Sequence, residues 1–227
     1  MKLIDVHGGT KESLLNNEYN IGIGISLGNK YFSPEKILES IKWALPYTKN
    51  HLIVYVADSI HKINIEVRKG KSSESALKQA LTQGDQIIEK VKKLVEVQLF
   101  TNKIPIIYAH WKDLEDNVYI EKKKYLYDLY NEKSKFYNTL LNIVRKITDK
   151  EDRPFSNEQL EKMGTYIIEE LPEVLDRVLI AGNECDAYIY PERGPLSDLV
   201  LDIQNGKVFP EIKERIIKNQ KVFLEVR

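Results

Sequence analysis

Cysteine is almost absent. Cys185 is the single one in 227 residues, so an internal disulfide framework is excluded and a reducing, cytoplasmic setting is expected. Histidine is scarce too: there are four, and only His51 and His61 lie near each other in the chain, so no metal is expected. Net charge is missing, because 34 Lys and Arg balance 34 Asp and Glu. Such a chain has no global pull on polyanions, and any nucleic-acid surface has to be a local patch. No apolar run approaches membrane-spanning length, and Met1 to Asp5 lacks the core of a signal peptide. No Gly-x-x-x-x-Gly-Lys-Ser/Thr phosphate loop occurs, which argues against nucleotide-loop enzymes, and no histidine partner for a serine nucleophile is readable, which argues against α/β-hydrolases. Repeats and low-complexity tracts are lacking as well.

What is present alternates between two periods. Strand-like runs occupy Asn20 to Ile25, Leu52 to Val56, Ile104 to Tyr108 and Asp186 to Tyr190. Long helical patterns lie between them, over Ser33 to Leu45, Ser72 to Leu99, Asp113 to Thr148 and Ser156 to Leu179. Ser33-Pro34 reads as an N-cap followed by proline at the first helical position, and Ser156 with Gln159 as a capping box. Strands alternating with helices predict an α/β fold, a single Rossmann-like domain over residues 1–227 with a parallel central sheet. Lys221 to Val226 is expected as an edge strand, and Thr148 to Pro154 as a loop between helices.

Two motifs carry the chemistry. The first is Gly22-Ile23-Gly24-Ile25-Ser26-Leu27-Gly28-Asn29, a hydroxyl at the carboxyl end of the expected first strand. Open α/β sheets hold their ligands there, and the glycines allow close approach to the backbone. The second is Tyr166-Ile167-Ile168-Glu169-Glu170-Leu171-Pro172 on the fourth helix. Tyr166 and Glu170 are four apart and share one face, with Glu173 nearly on it. A tyrosine and a carboxylate so stacked can hold an ammonium group; an amphipathic surface helix is the plainer alternative.

Together the motifs resemble those of the cyclodipeptide synthase family. Gly24-Ile25-Ser26 is similar to its first signature, an aliphatic strand ending in Gly-aliphatic-Ser. The Tyr166 to Pro172 segment is similar to its second, Tyr-aliphatic-x-x-Glu-x-Pro, and Tyr188-Ile189-Tyr190-Pro191 resembles its third conserved element. The resemblance runs from about Asn20 to about Leu196. The chain departs from the family pattern with Asn20 six before the serine and Gly22 four before it. Asn29 is typical of one subgroup and Tyr190-Pro191 of the other.

The resemblance implies an aminoacyltransferase of the class I tyrosyl- and tryptophanyl-tRNA synthetase type of fold. It would take two aminoacyl-tRNAs per turnover and release a 2,5-diketopiperazine. No cofactor is implied, because an aminoacyl ester is already activated; His-Ile-Gly-His-like and Lys-Met-Ser-Lys-Ser-like nucleotide signatures are missing. Ser26 would accept the first aminoacyl group, with backbone N–H groups near Gly24 and Gly28 at the oxyanion. Tyr166 and Glu170 would hold the α-ammonium, Glu170 would take its proton, and Tyr190 would relay a proton in cyclisation, with Tyr188 on the same strand face as second candidate. Gly22, Gly24, Asn29, Glu173 and Tyr188 are assigned to the substrate pocket. Gly22 leaves room there, and the Glu173 carboxylate favours a polar or basic side chain such as histidine or arginine.

The tRNA surface implied by the resemblance starts at Arg68, Lys69 and Lys71, which lead into the second helix, and continues along it through Lys78, Lys90, Lys92 and Lys93. Lys122-Lys123-Lys124 is the rival patch. Asp58 and His61 follow the second strand, as a ribose contact or as a helix-capping aspartate with its neighbour. No DNA and no membrane partner is expected, and a monomer is. Two other classes stay open: a serine acyltransferase or hydrolase of small esters, and a non-catalytic tRNA-binding module.

Overall fold

Isoleucine and glycine alternate in Tyr19–Ile25, and that alternation builds the centre of the molecule. The computed structural model describes residues 1–99, 103–191 and 193–227. Ile21, Ile23 and Ile25 point to one sheet face and pack with Ile37, Ile41, Ile88 and Val91. Each such burial contributes about 2 kcal/mol. The glycines face the other way, where an aromatic ring takes their place. A Cβ on Gly24 would come 2.9 Å from the Tyr55 hydroxyl, and one on Gly22 would come 2.6 Å from Cys185 Sγ.

In chain order the strands are β1 (Leu3–His7), β2 (Tyr19–Ile25), β3 (Thr48–Val56), β4 (Ile106–His110), β5 (Val178–Ile180), β6 (Asn183–Cys185), β7 (Ala187–Tyr190) and β8 (Val222–Val226). The helices are α1 (Lys11–Leu15), α2 (Pro34–Ala44), α3 (Lys62–Lys69), α4 (Ser73–Gln98), α5 (Asn117–Asn131), α6 (Lys135–Thr148), α7 (Asn157–Leu175), α8 (Pro195–Gln204) and α9 (Pro210–Ile216). The main sheet has the order β1-β8-β7-β2-β3-β4. All its neighbours run parallel except β1, which is antiparallel to β8. Helices α2 and α4 cover the isoleucine face. The opposite face carries Tyr55, Tyr188 and Phe223 beneath α5, α7 and α8. Beyond it, α5 to α9 share a second apolar cluster. The expected α/β fold with a mostly parallel sheet and flanking helices is therefore what the chain adopts.

Local signals placed the helix starts well. Ser33 Oγ accepts from Lys36 N at 3.3 Å, Ser72 caps α4, and Ser156 with Gln159 forms both bonds of a capping box. Four expectations change. The strand ending at Ser26 is second in the chain, because β1 precedes it. The helix expected over Asp113 to Thr148 is two, broken where Lys133 takes a φ of 52° and Ser134 stands at the N-cap position of the next helix; apolar periodicity on both sides hid the break. The helix expected to reach Leu179 stops at Leu175, and β5 and β6 form a hairpin over Ala181 and Gly182, both with positive φ. A two-residue turn of that kind ordinarily carries Asn-Gly, so its signal was weak. Finally, β8 is not an edge strand, since β7 and β1 flank it.

Candidate active site

Ser26 leaves β2 at its carboxyl end and enters a tight turn. The Asn29 N–H donates to the Ser26 carbonyl at 3.3 Å, the Tyr31 N–H to Asn29 Oδ1 at 3.0 Å, and Gly28 has a φ of 82°. A side chain at Gly28 would press on the His61 ring, with its Cβ 3.2 Å from Cε1. The turn opens onto a cavity of about 750 Å³ lined by Ser26, Tyr55, Tyr166, Glu170, Glu173 and Tyr190, among others. It lies at the carboxyl ends of the central parallel strands, as open α/β sheets favour.

Helix α7 supplies the facing wall. Tyr166 and Glu170, one turn apart, both line the cavity. Burial, with the negative charge of Glu173 adding to it, pushes the Glu170 carboxyl up to about 8 against the pull of the Tyr166 hydroxyl. Tyr166 itself is held well above its ordinary value by burial and by Glu170, with Ser26 as the polar neighbour that draws it back. Its hydroxyl makes no hydrogen bond of good geometry among the described residues. Burial and Glu170 push Tyr190 up to about 12, with Asn29 opposing. Ser26, Tyr166, Glu170 and Tyr190 thus meet around one cavity, and Asn29 stands beside Tyr190. Such a set can bind a primary ammonium and exchange a proton with it.

Tyr188 is more deeply buried than Tyr190, and its ring stacks on Phe223 at 5.1 Å. Gly24 lines the cavity and Gly22 does not. The room expected at Gly22 is already filled, by Cys185 Sγ and the Tyr55 ring. Glu173 is 3 % exposed, and its Oε1 accepts from the Tyr55 hydroxyl at 2.6 Å and from Lys221 Nζ. Tyr55 and Lys221 are the residues sequence reasoning missed. The only trace of them is a tyrosine inside an aliphatic strand and a lysine opening the apolar run of β8.

Asp58 is fully buried and acts as a cap. Its Oδ1 accepts from the Ser59 and Trp111 N–H groups at 2.7 and 3.1 Å, and Oδ2 meets His110 Nδ1 at 2.6 Å. Asp58 does not line the cavity, so the ribose contact is disfavoured. His61 lines the cavity, where burial, aided by Arg68 and Lys69, lowers it to about 4 and keeps the ring neutral.

Of the basic residues, Arg68 is engaged by Glu151 at 2.6 Å and lines the cavity with Lys69. Lys71, Lys78, Lys90 and Lys93 stand exposed before and along α4, while Lys92 leans over the Tyr108 ring at 5.3 Å. The rival lysines are matched by carboxylates: Lys122 by Asp176 at 2.6 Å, Lys123 by Glu115 and Glu169 at 2.8 and 3.0 Å, and Lys124 by Asp128 at 3.0 Å. Among the described residues there is no cluster of His, Cys, Asp and Glu able to hold a metal, and no helix long and apolar enough to cross a membrane.

Among solved structures, a cyclodipeptide synthase from Bacillus thermoamylovorans superposes with a TM-score of 0.72 at 19% identity, covering 95% of this chain and 91% of its own. One from Staphylococcus haemolyticus gives 0.71 at 20% identity, with coverages of 98% and 99%. A cyclodipeptide synthase from Candidatus Glomeribacter gigasporarum, bound to Phe-tRNAPhe, gives 0.51 at 16% identity, with coverages of 92% and 88%. No curated protein sequence matches significantly. The family model described as cyclodipeptide synthase matches residues 7–208. That span holds Ser26, the Tyr166–Glu170 pair and Tyr190, and the chain belongs to the cyclodipeptide synthase family, whose members are tRNA-dependent enzymes that make cyclic dipeptides.

Proposed function

We propose that this chain joins two aminoacyl-tRNAs into a cyclic dipeptide by ping-pong acyl transfer through an aminoacyl ester on Ser26. The observation that carries this reading is Glu170, one turn from Tyr166 on the wall of the cavity that Ser26 enters, where desolvation pushes its carboxyl up to about 8. A free α-amino group titrates at roughly 7.7–8.0. Acid and base so matched exchange a proton at little cost, as general base catalysis requires.

In the first step Ser26 Oγ attacks the ester carbonyl of one aminoacyl-tRNA. The bond to the terminal ribose oxygen breaks, and the serine proton passes to that oxygen through the vicinal ribose hydroxyl. Backbone N–H groups of the Gly24 to Gly28 turn steady the oxyanion. The α-ammonium rests on Tyr166 and Glu170. Glu170 then takes its proton, and the free amine attacks the second aminoacyl ester; an N–H proton passes to the departing ribose oxygen as the peptide bond forms and the second tRNA leaves. Finally the new amino terminus attacks the Ser26 ester, the ring closes, and Tyr190 relays the proton back to Ser26 Oγ. Tyr190 suits this role better than Tyr188, which is committed to its stack on Phe223.

The acceptor stem is assigned to the exposed lysines of α4 and to Lys69 at the cavity mouth. The relative bound to Phe-tRNAPhe supports that class of partner. Glu173 in the cavity supports a product with at least one polar side chain, histidine being the first candidate; the arginine expected beside it is disfavoured, because Lys221 already meets the charge of the carboxylate. The test is expression in bacteria with mass spectrometry of the medium for diketopiperazines, beside Ser26→Ala. Product from the parent, none from the variant, and an intact-mass aminoacyl adduct on Ser26 are expected. Product from Ser26→Ala would sink the acyl-enzyme.

A further inference from the structure

Lys221 has no part in the reaction as drawn, yet it is fully buried, at 0 % exposure, directly behind the cavity. It forms an ion pair with Glu173, which lines the cavity. The Tyr55 and Tyr188 rings flank its ammonium, their centroids 6.0 and 5.9 Å from Nζ. A buried ion pair is a poor way to gain stability, because apolar residues of the same volume do as well or better. Its position against the substrate space is the physical clue to its use.

Both partners of Glu173, the Tyr55 hydroxyl and Lys221 Nζ, reach the same oxygen, Oε1. Among the described residues Oε2 accepts no hydrogen bond. The charge of the carboxylate is therefore already met, while one acceptor is still open. A cationic side chain entering here would add an uncompensated buried charge. An aliphatic one would leave Oε2 desolvated and unpaired. A neutral N–H or O–H satisfies the oxygen and leaves the charge balance unchanged.

We propose that the Glu173–Lys221 pair is the floor of the first aminoacyl pocket and selects a neutral side chain bearing a hydrogen-bond donor, which Glu173 Oε2 accepts. This rests on the acyl-enzyme reading above. It narrows the polar class: imidazole, carboxamide, hydroxyl and indole side chains fit, and guanidinium and ammonium do not. Lys221 is a positioning residue, acting through Glu173. Sites built to hydrogen-bond a substrate donor reject the analogue lacking it by roughly 10⁴-fold, so the discrimination should be large.

The experiment loads purified enzyme with single aminoacyl-tRNAs and follows the Ser26 adduct by intact mass. The panel contains histidyl-, glutaminyl-, threonyl-, tyrosyl- and tryptophanyl-tRNA against leucyl-, arginyl- and lysyl-tRNA. We expect a neutral-donor member to load at least about 100-fold faster than the last three. The paired change Glu173→Leu with Lys221→Met removes both charges at similar volume. It should raise leucyl loading at least tenfold and lower that of the preferred donor by as much. Preference of the parent enzyme for leucyl, arginyl or lysyl groups overturns the proposal, as does an unchanged order in the paired variant. Should that variant not fold, the parent panel alone decides. Adducts with the wrong selectivity refute only this pocket; no adduct from any member refutes the acyl-enzyme and this proposal with it.

Discussion

Glu170 and Glu173 lie one turn apart on the same helix and both line the cavity, Glu173 buried and Glu170 partly so, and among the described residues Glu173 alone of the two has a counter-ion. Lys221 pairs with Glu173, and among the described residues no cation pairs with Glu170. The unequal provision separates two identical side chains into two roles. Glu173 stays a fixed part of the wall. Glu170, pushed up to about 8 mainly by burial, is left ready to exchange a proton. Pairs of titratable groups driven apart by their surroundings are how one site assigns acid and base.

The first prediction concerns stability against pH. A carboxyl at about 8 in the folded chain and at 4.5 when exposed binds more protons folded than unfolded between those values. Its contribution to stability is therefore lost as pH rises from 4.5 to 8. Glu170→Gln, which cannot ionise, should be more stable than the parent by roughly a few kcal/mol above pH 8. The gain should vanish below pH 4.5. Denaturant unfolding across that range checks it, and a gain independent of pH would refute the assignment.

A second prediction concerns the glycines of β2. Gly22→Ala places a Cβ where Cys185 Sγ would be 2.6 Å away. Overpacking of this kind costs about 1–3 kcal/mol. Adding Cys185→Ala should recover most of it, because the obstructing sulfur is gone. Equal destabilisation in the single and double variants, by thermal melting, would show that the clash is not the cause.

Salt dependence supplies a third. If α4 meets the acceptor stem, Lys78→Ala with Lys93→Ala should raise KM for aminoacyl-tRNA, leave kcat unchanged, and reduce the salt slope by about 2. Lys123→Ala with Lys124→Ala should change none of these, since their ammonium groups already meet carboxylates. The reverse result would move the tRNA to α5.

That Ser26, Tyr166, Glu170 and Tyr190, the proposed catalytic set, gather at one cavity was legible because their spacing is local or tied to strand ends. Tyr166 and Glu170 share a face whatever the tertiary fold, and a serine after an apolar strand lands at the sheet's ligand edge in any open α/β protein. The caps Ser33 and Ser156 were legible for the same reason. Gly22 shows the limit: its missing side chain was read as room for substrate, yet Cys185 and Tyr55, from other strands, occupy that room. Nothing near Gly22 in the chain records this.

The amino-acid sequence by itself determined the alternation of strands and helices, the turn that exposes Ser26, and the Tyr166–Glu170 pair, because each depends on neighbours within a few residues. Tertiary structure alone decided that β8 lies between β7 and β1 rather than at an edge, which puts Lys221 behind Glu173, 48 residues away along the chain. It also brought Tyr55 to the same carboxylate across 118 residues. Strand order is settled by which faces can be buried together over the whole sheet. No local pattern carries that, so the residues proposed to choose the substrate emerge only once the sheet is assembled.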